Sequence, residues 1–297
     1  MKNPIIPGYH ADPFVYRDGD DYYMVQTTEG AGWDGSPFHC YHSTDLENWS
    51  EPCEIFNLKT DLSWADHYAW APSILKKDGY WYFVFVAEHK IGIAVCDTPM
   101  GRYKDILGRP LIAKEDFPDV YTIDPSLFMD VDGKTYLLFG NRKAIISEIF
   151  LSPTDVHLVG AHKCLSNDFF SQRTLSQNTH DPSFYCEAPD LTRVGNRYLL
   201  TWSCYDTCDP RYCIRYAWAQ RVTGPYIQPL DEDHENILIH RKGEIQCTGH
   251  GNVFEYNGEL YLAYHRFAIP RDDYHREICL DKVEFEDDIH LFVTPTK

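Results

Sequence analysis

Five copies of one short pattern recur along this chain and constrain its fold more than any other feature. Each copy is an apolar strand followed by a turn glycine and, three residues later, a tyrosine. The five pairs are Gly19 and Tyr22, Gly79 and Tyr82, Gly133 and Tyr136, Gly195 and Tyr198, and Gly258 and Tyr261. Repeats of this kind, built from short strands and turns, are typical of propeller blades. The pattern predicts an all-β, five-bladed β-propeller with four antiparallel strands in each blade.

A second recurring residue marks the start of each blade. The anchors are Pro13, Pro72, Pro125 and Pro189, with Asn252 at the fifth site. Successive anchors lie 59, 53, 64 and 63 residues apart. Five units of this size fill the chain without a linker, so we expect one domain over residues 1–297.

The turns and periodicity support the same fold. Asp-Gly, Gly-Asn or Asn-Gly dipeptides follow each first strand and supply the positive φ that a tight hairpin needs. No stretch repeats its apolar residues every 3.6 positions, so helix should be scarce. Residues 165–185 show no clear alternation and are predicted to form a long loop between blades.

The charge of the chain argues against two classes of partner. There are 45 acidic and 27 basic side chains, and the formal net charge is −18. No cluster of Lys and Arg is present, which argues against nucleic acid and against anionic membrane surfaces. The longest apolar stretch, Tyr80 to Ala87, is too short to span a bilayer.

The expected location is the cytoplasm. The first residues, Met1-Lys2-Asn3-Pro4, lead into blade one without an apolar signal segment or a small-residue cleavage site. The ten cysteines are then expected to be free thiols, because a reducing compartment does not favour disulfides. The sequence does not define an oligomeric state.

Three of the five blade starts carry a carboxylate, which we place at equivalent repeat positions: Asp12, Asp124 and Glu187. First strands of propeller blades run beside the central axis, so these side chains should converge on the mouth of the channel. Asp before Pro is also a common turn starter, and that is the structural alternative. Hydrolysis of a glycosidic bond needs one protonated carboxyl and one carboxylate, and a third anion beside the acid would keep it protonated.

Taken together and in order, the blade-start motifs resemble those of glycoside hydrolase family 43, the five-bladed propeller enzymes of arabinan and xylan breakdown. The resemblance covers essentially the whole chain. Its motifs are Asn3-Pro4-Ile5 through Ala11-Asp12-Pro13, Trp70-Ala71-Pro72, Ile123-Asp124-Pro125-Ser126 and Cys186-Glu187-Ala188-Pro189.

The resemblance implies an inverting hydrolase that needs no cofactor for its chemistry. Glu187 would be the general acid and Asp12 the general base that activates water. Asp124 would stay ionised, hold Glu187 protonated and orient the sugar, while Trp70 would line the sugar pocket. Inversion requires room for the water, so the carboxyl groups of Asp12 and Glu187 should lie about 6.5–9.5 Å apart.

Four more residues are candidates for substrate contact. Arg276 opens a late segment similar to the family's segment with a pocket arginine, and Arg266, at the end of an inner strand, competes with it. Either guanidinium could hold sugar hydroxyls, brace a catalytic carboxylate or simply pair with a surface acid. Trp33, on a glycine-rich loop, is placed at the pocket rim. His10, two residues before Asp12, could reach the sugar or brace the base.

His250, at the fifth blade start, is the candidate metal residue. A hydrogen-bonded structural histidine is the alternative of equal weight. In related enzymes a histidine at the corresponding position lies near a central metal, often calcium, or a water cluster. The resemblance therefore implies a calcium ion near His250, although calcium prefers oxygen ligands.

The expected substrate is a small oligosaccharide. A cytoplasmic enzyme would act on imported fragments, which favours exo attack by an α-L-arabinofuranosidase on xylo- or arabino-oligosaccharides. The alternatives are β-xylosidase, then exo-galactosidase.

A propeller lectin is the non-enzyme alternative, but lectins tend to repeat one site in every blade, whereas these blade starts differ. No blade ends in the Trp-Asp pair of WD-type interaction propellers.

Overall fold

The structure, a computed structural model, describes residues 2–29, 33–170, 184–230 and 235–297. Five four-stranded sheets form the five blades. Blade 1 contains β1 (His10–Asp18), β2 (Asp21–Thr28), β3 (Pro37–Ser43) and β4 (Cys53–Asn57). Blade 2 contains β5 (Trp70–Lys77), β6 (Tyr80–Ala87), β7 (Lys90–Cys96) and β8 (Lys104–Asp105). Blade 3 contains β9 (Ser126–Met129), β10 (Thr135–Phe139), β11 (Ile145–Ser152) and β12 (Asp155–Cys164). Blade 4 contains β13 (Glu187–Val194), β14 (Arg197–Cys204), β15 (Cys213–Ala219) and β16 (Ile237–Ile239). Blade 5 contains β17 (Val253–Tyr256), β18 (Glu259–Phe267), β19 (Arg276–Phe285) and β20 (Leu291–Val293).

The strands meander, and their order in each sheet follows their order in the chain. All the ladders are antiparallel, and the first strands of neighbouring blades contact one another around a closed ring. These first strands therefore line the axis, as the repeat predicts. The five-bladed propeller fold is confirmed.

Helix is scarce, also as predicted. The described residues hold α1 (Leu58–Asp61), a 3₁₀ turn (Lys114–Asp116) and α2 (Ser166–Phe170). The helix α2 corrects the expectation of a loop from residue 165 onward, and residues 171–183 of that stretch lie outside the described residues. No helix of the described residues has the length and apolar character that a bilayer crossing requires.

The glycine–tyrosine pattern has two separate physical causes. The five glycines all have positive φ, and an added Cβ would meet no atom within 4 Å at any of them, so backbone conformation and not crowding requires glycine. The tyrosines pack between blades. The ring of Tyr22 lies 6.1 Å from Phe254 of blade 5, and the ring of Tyr198 lies 6.0 Å from Phe128 of blade 3.

A side-chain clamp joins the last blade to the first. Oδ1 of Asn252 accepts a hydrogen bond from the backbone nitrogen of Val15 at 2.8 Å, and Nδ2 donates to the Val15 carbonyl at 2.9 Å. β1 is an edge strand, so these backbone groups need a partner from outside their own sheet. Asn252 is therefore a closure residue. The residue that matches the anchor prolines is its neighbour Gly251.

Candidate active site

Every blade enters its first strand through the same irregular backbone. In β1, β5 and β13 the register with the second strand shifts at this point, which is a β-bulge. One residue there has a positive φ in all five blades, although none of the five is glycine. These residues are Asp12 (51°), Ala71 (43°), Asp124 (57°), Ala188 (55°) and His250 (40°). Such conformations cost about 1–3 kcal/mol each and are typical of functional sites.

The bulge corrects the predicted alignment of the three acids. Asp12, Asp124 and His250 occupy the positive-φ position, whereas Glu187 lies one residue earlier and shares its position with Trp70. The acids thus come from two adjacent positions of the repeat. All three nevertheless line one cavity of about 300 Å³ at the mouth of the channel.

Asp12 is held as an anion. Thr27 Oγ1 donates to Oδ2 at 2.7 Å, and Nη1 of Arg276, Nδ1 of His250 and Nδ1 of His265 each lie 3.2 Å from Oδ1. Burial alone would raise the pKa of Asp12. The groups around Oδ1 outweigh burial and hold that pKa well below its usual range. This carboxylate can therefore accept a proton from water.

Asp124 and Glu187 form a close carboxyl pair, with one oxygen of each within 4.8 Å of the other. Burial raises the pKa of Asp124, and the charge of Glu187 raises it further. Burial also raises the pKa of Glu187. Two buried carboxyls this close retain a proton at a pH where an isolated carboxyl has lost it. The cavity thus holds a proton donor and, at Asp12, a proton acceptor.

Glu187 has two hydrogen-bond donors that the sequence analysis missed. The hydroxyl of Tyr212 donates to Oε1 at 2.7 Å, and Nδ2 of Asn141 donates to Oε2 at 2.8 Å. Both bonds favour the ionised form and lower the pKa of Glu187 against the effect of burial. Neither residue lies at a blade start, so the repeat gave no signal for them.

Arg276 lines the cavity and braces the base. Its Nε donates to Glu29 Oε1 at 2.7 Å, and its Nη1 donates to Thr207 Oγ1 at 2.9 Å as well as to Asp12. Glu29 also accepts from the backbone nitrogen of Arg276 at 2.7 Å. Of the roles considered for this arginine, the structure supports bracing of a carboxylate.

Two tryptophans form one wall of the cavity. Trp33 and Trp70 meet edge to face with ring centroids 5.8 Å apart, and the indole nitrogen of Trp70 donates to the Trp33 carbonyl at 2.7 Å. The Trp33 side chain is partly exposed, as expected of a rim residue. His89 and Tyr121, which the sequence analysis did not single out, line the cavity beside them. Aromatic faces of this kind can pack against the apolar face of a sugar.

Arg266, predicted as a substrate-contact residue, does not lie at the cavity. It pairs with Glu277 at 2.8 Å and donates to the Thr296 carbonyl at 2.6 Å, and it is absent from the cavity lining. Successive side chains on a strand point to opposite faces, so its neighbour His265 is the residue of β18 that reaches Asp12. Burial lowers the pKa of His265 to about 3, which keeps its imidazole neutral.

His10, predicted to reach the sugar or to brace Asp12, does neither. Its Nε2 lies 3.2 Å from the Pro7 carbonyl and its Nδ1 lies 3.2 Å from Nε2 of Gln26. It lines a different cavity, on the flank of blade 1. The bulge at Asp12 interrupts the strand alternation that would have placed both side chains on one side.

His250 lies between the two aspartates. Its Nδ1 is 3.2 Å from Asp12 Oδ1 and 3.9 Å from Asp124 Oδ2, and burial lowers its pKa. Together with Asp124 and Glu187 it could bring three ligand atoms to one ion. This set does not fit calcium, which takes six to eight oxygen ligands. An ion there would also hold Glu187 ionised and remove the proton donor.

The axial cavity of this β-propeller holds an ionised carboxylate and a pair of carboxyl groups that retains a proton. These are the proton acceptor and the proton donor that a glycoside hydrolase requires. Comparison with known proteins identifies the family. The sequence profile of glycosyl hydrolases family 43 matches residues 1–290, and the chain belongs to this family. It is therefore a glycoside hydrolase, and the lectin and WD-type alternatives are set aside.

Similar proteins have several related activities. The chain is 28% identical to the β-D-galactofuranosidase of Aspergillus niger, over 96% of this chain and 82% of that protein. It is 25% identical to an extracellular exo-α-(1→5)-L-arabinofuranosidase of Cellvibrio japonicus, over 86% and 78%. A family 43 β-xylosidase/α-arabinofuranosidase from a compost metagenome, solved with xylotriose in a calcium-free form, superposes with a TM-score of 0.77 at 21% identity, covering 97% and 96% of the two chains.

Proposed function

We propose that this protein is an inverting, exo-acting α-L-arabinofuranosidase that removes terminal arabinose from xylo- or arabino-oligosaccharides. One observation carries the mechanism. Asp12 has a pKa well below its usual range, while the Asp124–Glu187 pair in the same cavity has raised pKa values. Carboxyl groups whose environments separate their pKa values in this way are suited to act as base and acid.

In this mechanism Glu187 protonates the glycosidic oxygen as the bond from that oxygen to the anomeric carbon breaks. Asp12 removes a proton from a water molecule, whose oxygen forms the new bond on the opposite face of the sugar. The products are the free sugar with inverted configuration and the shortened oligosaccharide. A carboxyl separation of about 6.5–9.5 Å between Asp12 and Glu187 remains a prediction of this mechanism.

Several observations support a terminal furanoside as substrate. The A. niger and C. japonicus relatives are both named as furanosidases, and the second of them as an exo-enzyme. A cavity of about 300 Å³ is at the lower end of the range for ligand sites, as suits one terminal sugar better than a long chain. β-Galactofuranoside is the second candidate because the A. niger relative is named for it. β-Xyloside is the third.

A panel of nitrophenyl glycosides tests the specificity. We expect kcat/KM to be highest for the α-L-arabinofuranoside, compared with the β-D-xyloside and the β-D-galactofuranoside. Proton NMR of the first product formed should show the inverted anomer. A higher value for either competitor would overturn the proposed sugar, and retention would overturn the roles of Asp12 and Glu187.

Substitution of the acid tests the mechanism directly. Glu187→Gln keeps the shape but cannot donate a carboxylic proton, so kcat on an oligosaccharide should fall by about 10²–10⁴-fold. Glu115→Gln, at an exposed position, is the matched control and should behave as the unsubstituted enzyme. Full activity of a correctly folded Glu187→Gln enzyme would rule out this acid.

The cytoplasmic location stays a proposal. The ten cysteines, all described as free thiols, are consistent with a reducing compartment. The C. japonicus relative, however, is named as extracellular. Cell fractionation with an antibody to the protein would decide between the two compartments.

A further inference from the structure

The proton donor Glu187 is held from two sides. Tyr212 is fully buried, does not line the cavity, and contacts Oε1. Asn141 does line the cavity and contacts Oε2. Oε1 is therefore anchored from the protein interior, whereas Oε2 lies on the side from which substrate approaches.

Tyr212 is rigidly placed. Its ring lies parallel to the His265 imidazole, with centroids 5.5 Å apart and an interplanar angle of 1°. The ring also packs against Gly249, where an added Cβ would lie only 2.1 Å from two ring carbons. Gly249 itself pairs with His265 through two backbone hydrogen bonds. Only glycine at 249 leaves room for the ring.

We propose that Tyr212 is the positioning residue of the general acid. Its hydroxyl holds Oε1 from the protein interior, so the proton that is transferred resides on Oε2, the oxygen on the cavity side. This inference rests on the proposed role of Glu187 as acid. Burial and the charge of Glu187 raise the pKa of Tyr212 well above its ordinary value, so the hydroxyl stays protonated and remains a donor.

The same bond acts during proton transfer. The Oε2–H bond breaks, the proton passes to the glycosidic oxygen, and Glu187 is left with a negative charge. The Tyr212 hydroxyl already points at this carboxylate, so no reorganisation is needed as the charge develops. A hydrogen bond to a charged group contributes more than one to a neutral group. Tyr212 therefore stabilises the transition state more than the ground state.

Tyr212→Phe tests the proposal because it removes the hydroxyl and keeps the ring in its place. With an oligosaccharide, whose leaving group needs protonation, kcat should fall by about 10–100-fold with little change in KM. With a nitrophenyl glycoside, whose leaving group departs without a proton, kcat should change far less. The alkaline limb of the pH–rate profile should move to higher pH, because a bond that lowers the pKa of Glu187 has been removed.

The matched control is Tyr103→Phe. Tyr103 is also buried, its hydroxyl donates to the Pro99 carbonyl, and it lies in blade 2 away from the cavity. Asn141→Ala removes the amide donor to Oε2, so it provides an independent test if Tyr212→Phe does not fold. It should move the alkaline limb in the same direction.

The outcomes separate this inference from the proposed function. Glu187→Gln should also lower kcat more for the oligosaccharide than for the nitrophenyl glycoside. Suppose that Glu187→Gln shows this difference, but Tyr212→Phe lowers kcat equally for both substrates and leaves the alkaline limb of the pH–rate profile in place. Tyr212 is then merely structural and the inference is wrong. If Glu187→Gln itself shows no dependence on the leaving group, the assignment of the acid has failed first.

Discussion

Asp12 and Asp124 occupy the same position of the repeat and the same strained backbone, yet their pKa values move in opposite directions. Their neighbours explain the difference. Asp12 faces the guanidinium of Arg276 and two imidazoles, whereas Asp124 faces the carboxyl of Glu187. At this scale the chemistry depends on side chains supplied by other strands. The blade-start motif presents the carboxyl, and its neighbours determine whether the pKa of that carboxyl is lowered or raised.

The charge of Arg276 can be tested by substitution. Arg276→Gln removes a cation that lowers the pKa of Asp12, so this pKa should rise. The base would then become protonated at a higher pH, and the acidic limb of kcat/KM should shift upward by about 1–3 units. A pH–rate profile of the variant measures the shift.

The control for that variant is Arg266→Gln. Arg266 is equally buried and paired with a carboxylate, but it does not line the cavity. Both variants leave a buried carboxylate without its partner, and each should lose about 3–5 kcal/mol of unfolding free energy. Only Arg276→Gln should move the acidic limb. An equal shift in both variants would mean that loss of stability causes the effect.

The sequence predicted the residues that the repeat marks, and also Arg276 and Trp33, but it missed the groups that surround Glu187. Asp12, Asp124, Glu187 and Trp70 follow the blade-start pattern, and all of them reach the cavity. Tyr212 precedes the third strand of its blade, where the repeat shows no residue of this kind. Arg266, predicted as a competitor of Arg276, does not line the cavity, because side chains alternate along β18 and its neighbour His265 is the one that reaches Asp12.

At the scale of the elements, a residue with positive φ recurs at the start of the first strand in every blade, and in β1, β5 and β13 it lies in a β-bulge. Sequence periodicity predicted the five blades because strand length, turn glycine and inter-blade tyrosine all repeat. It did not predict the bulge, since the positive-φ residues are Asp, Ala and His, and no glycine marks the position. Closure of the ring was not predicted either. The repeat aligned Asn252 with the anchor prolines, but its side chain forms hydrogen bonds with the backbone of Val15 in blade 1.

The clamp gives a prediction about stability. Asn252→Ala would leave the backbone nitrogen and carbonyl of Val15 without their partner, at a cost of about 1–3 kcal/mol for each buried group that stays unsatisfied. We expect the melting temperature to fall by several degrees. Asn196→Ala, at an exposed turn, is the control and should change it little. An unchanged melting temperature in Asn252→Ala would show that closure does not depend on this clamp.

At the scale of the whole molecule, the propeller gathers the three blade-start carboxyl groups, with those of Glu29 and Asp206, into one cavity of a protein with net charge −18. This negative charge attracts cations, so whether activity requires calcium can be tested on the intact enzyme. Dialysis against EDTA should leave kcat and the melting temperature unchanged, because side chains supply both the acid and the base. A divalent ion beside Glu187 would compete with its proton, so added calcium should not activate. Loss of activity on chelation that calcium restores and magnesium does not would show instead that an ion near His250 is required.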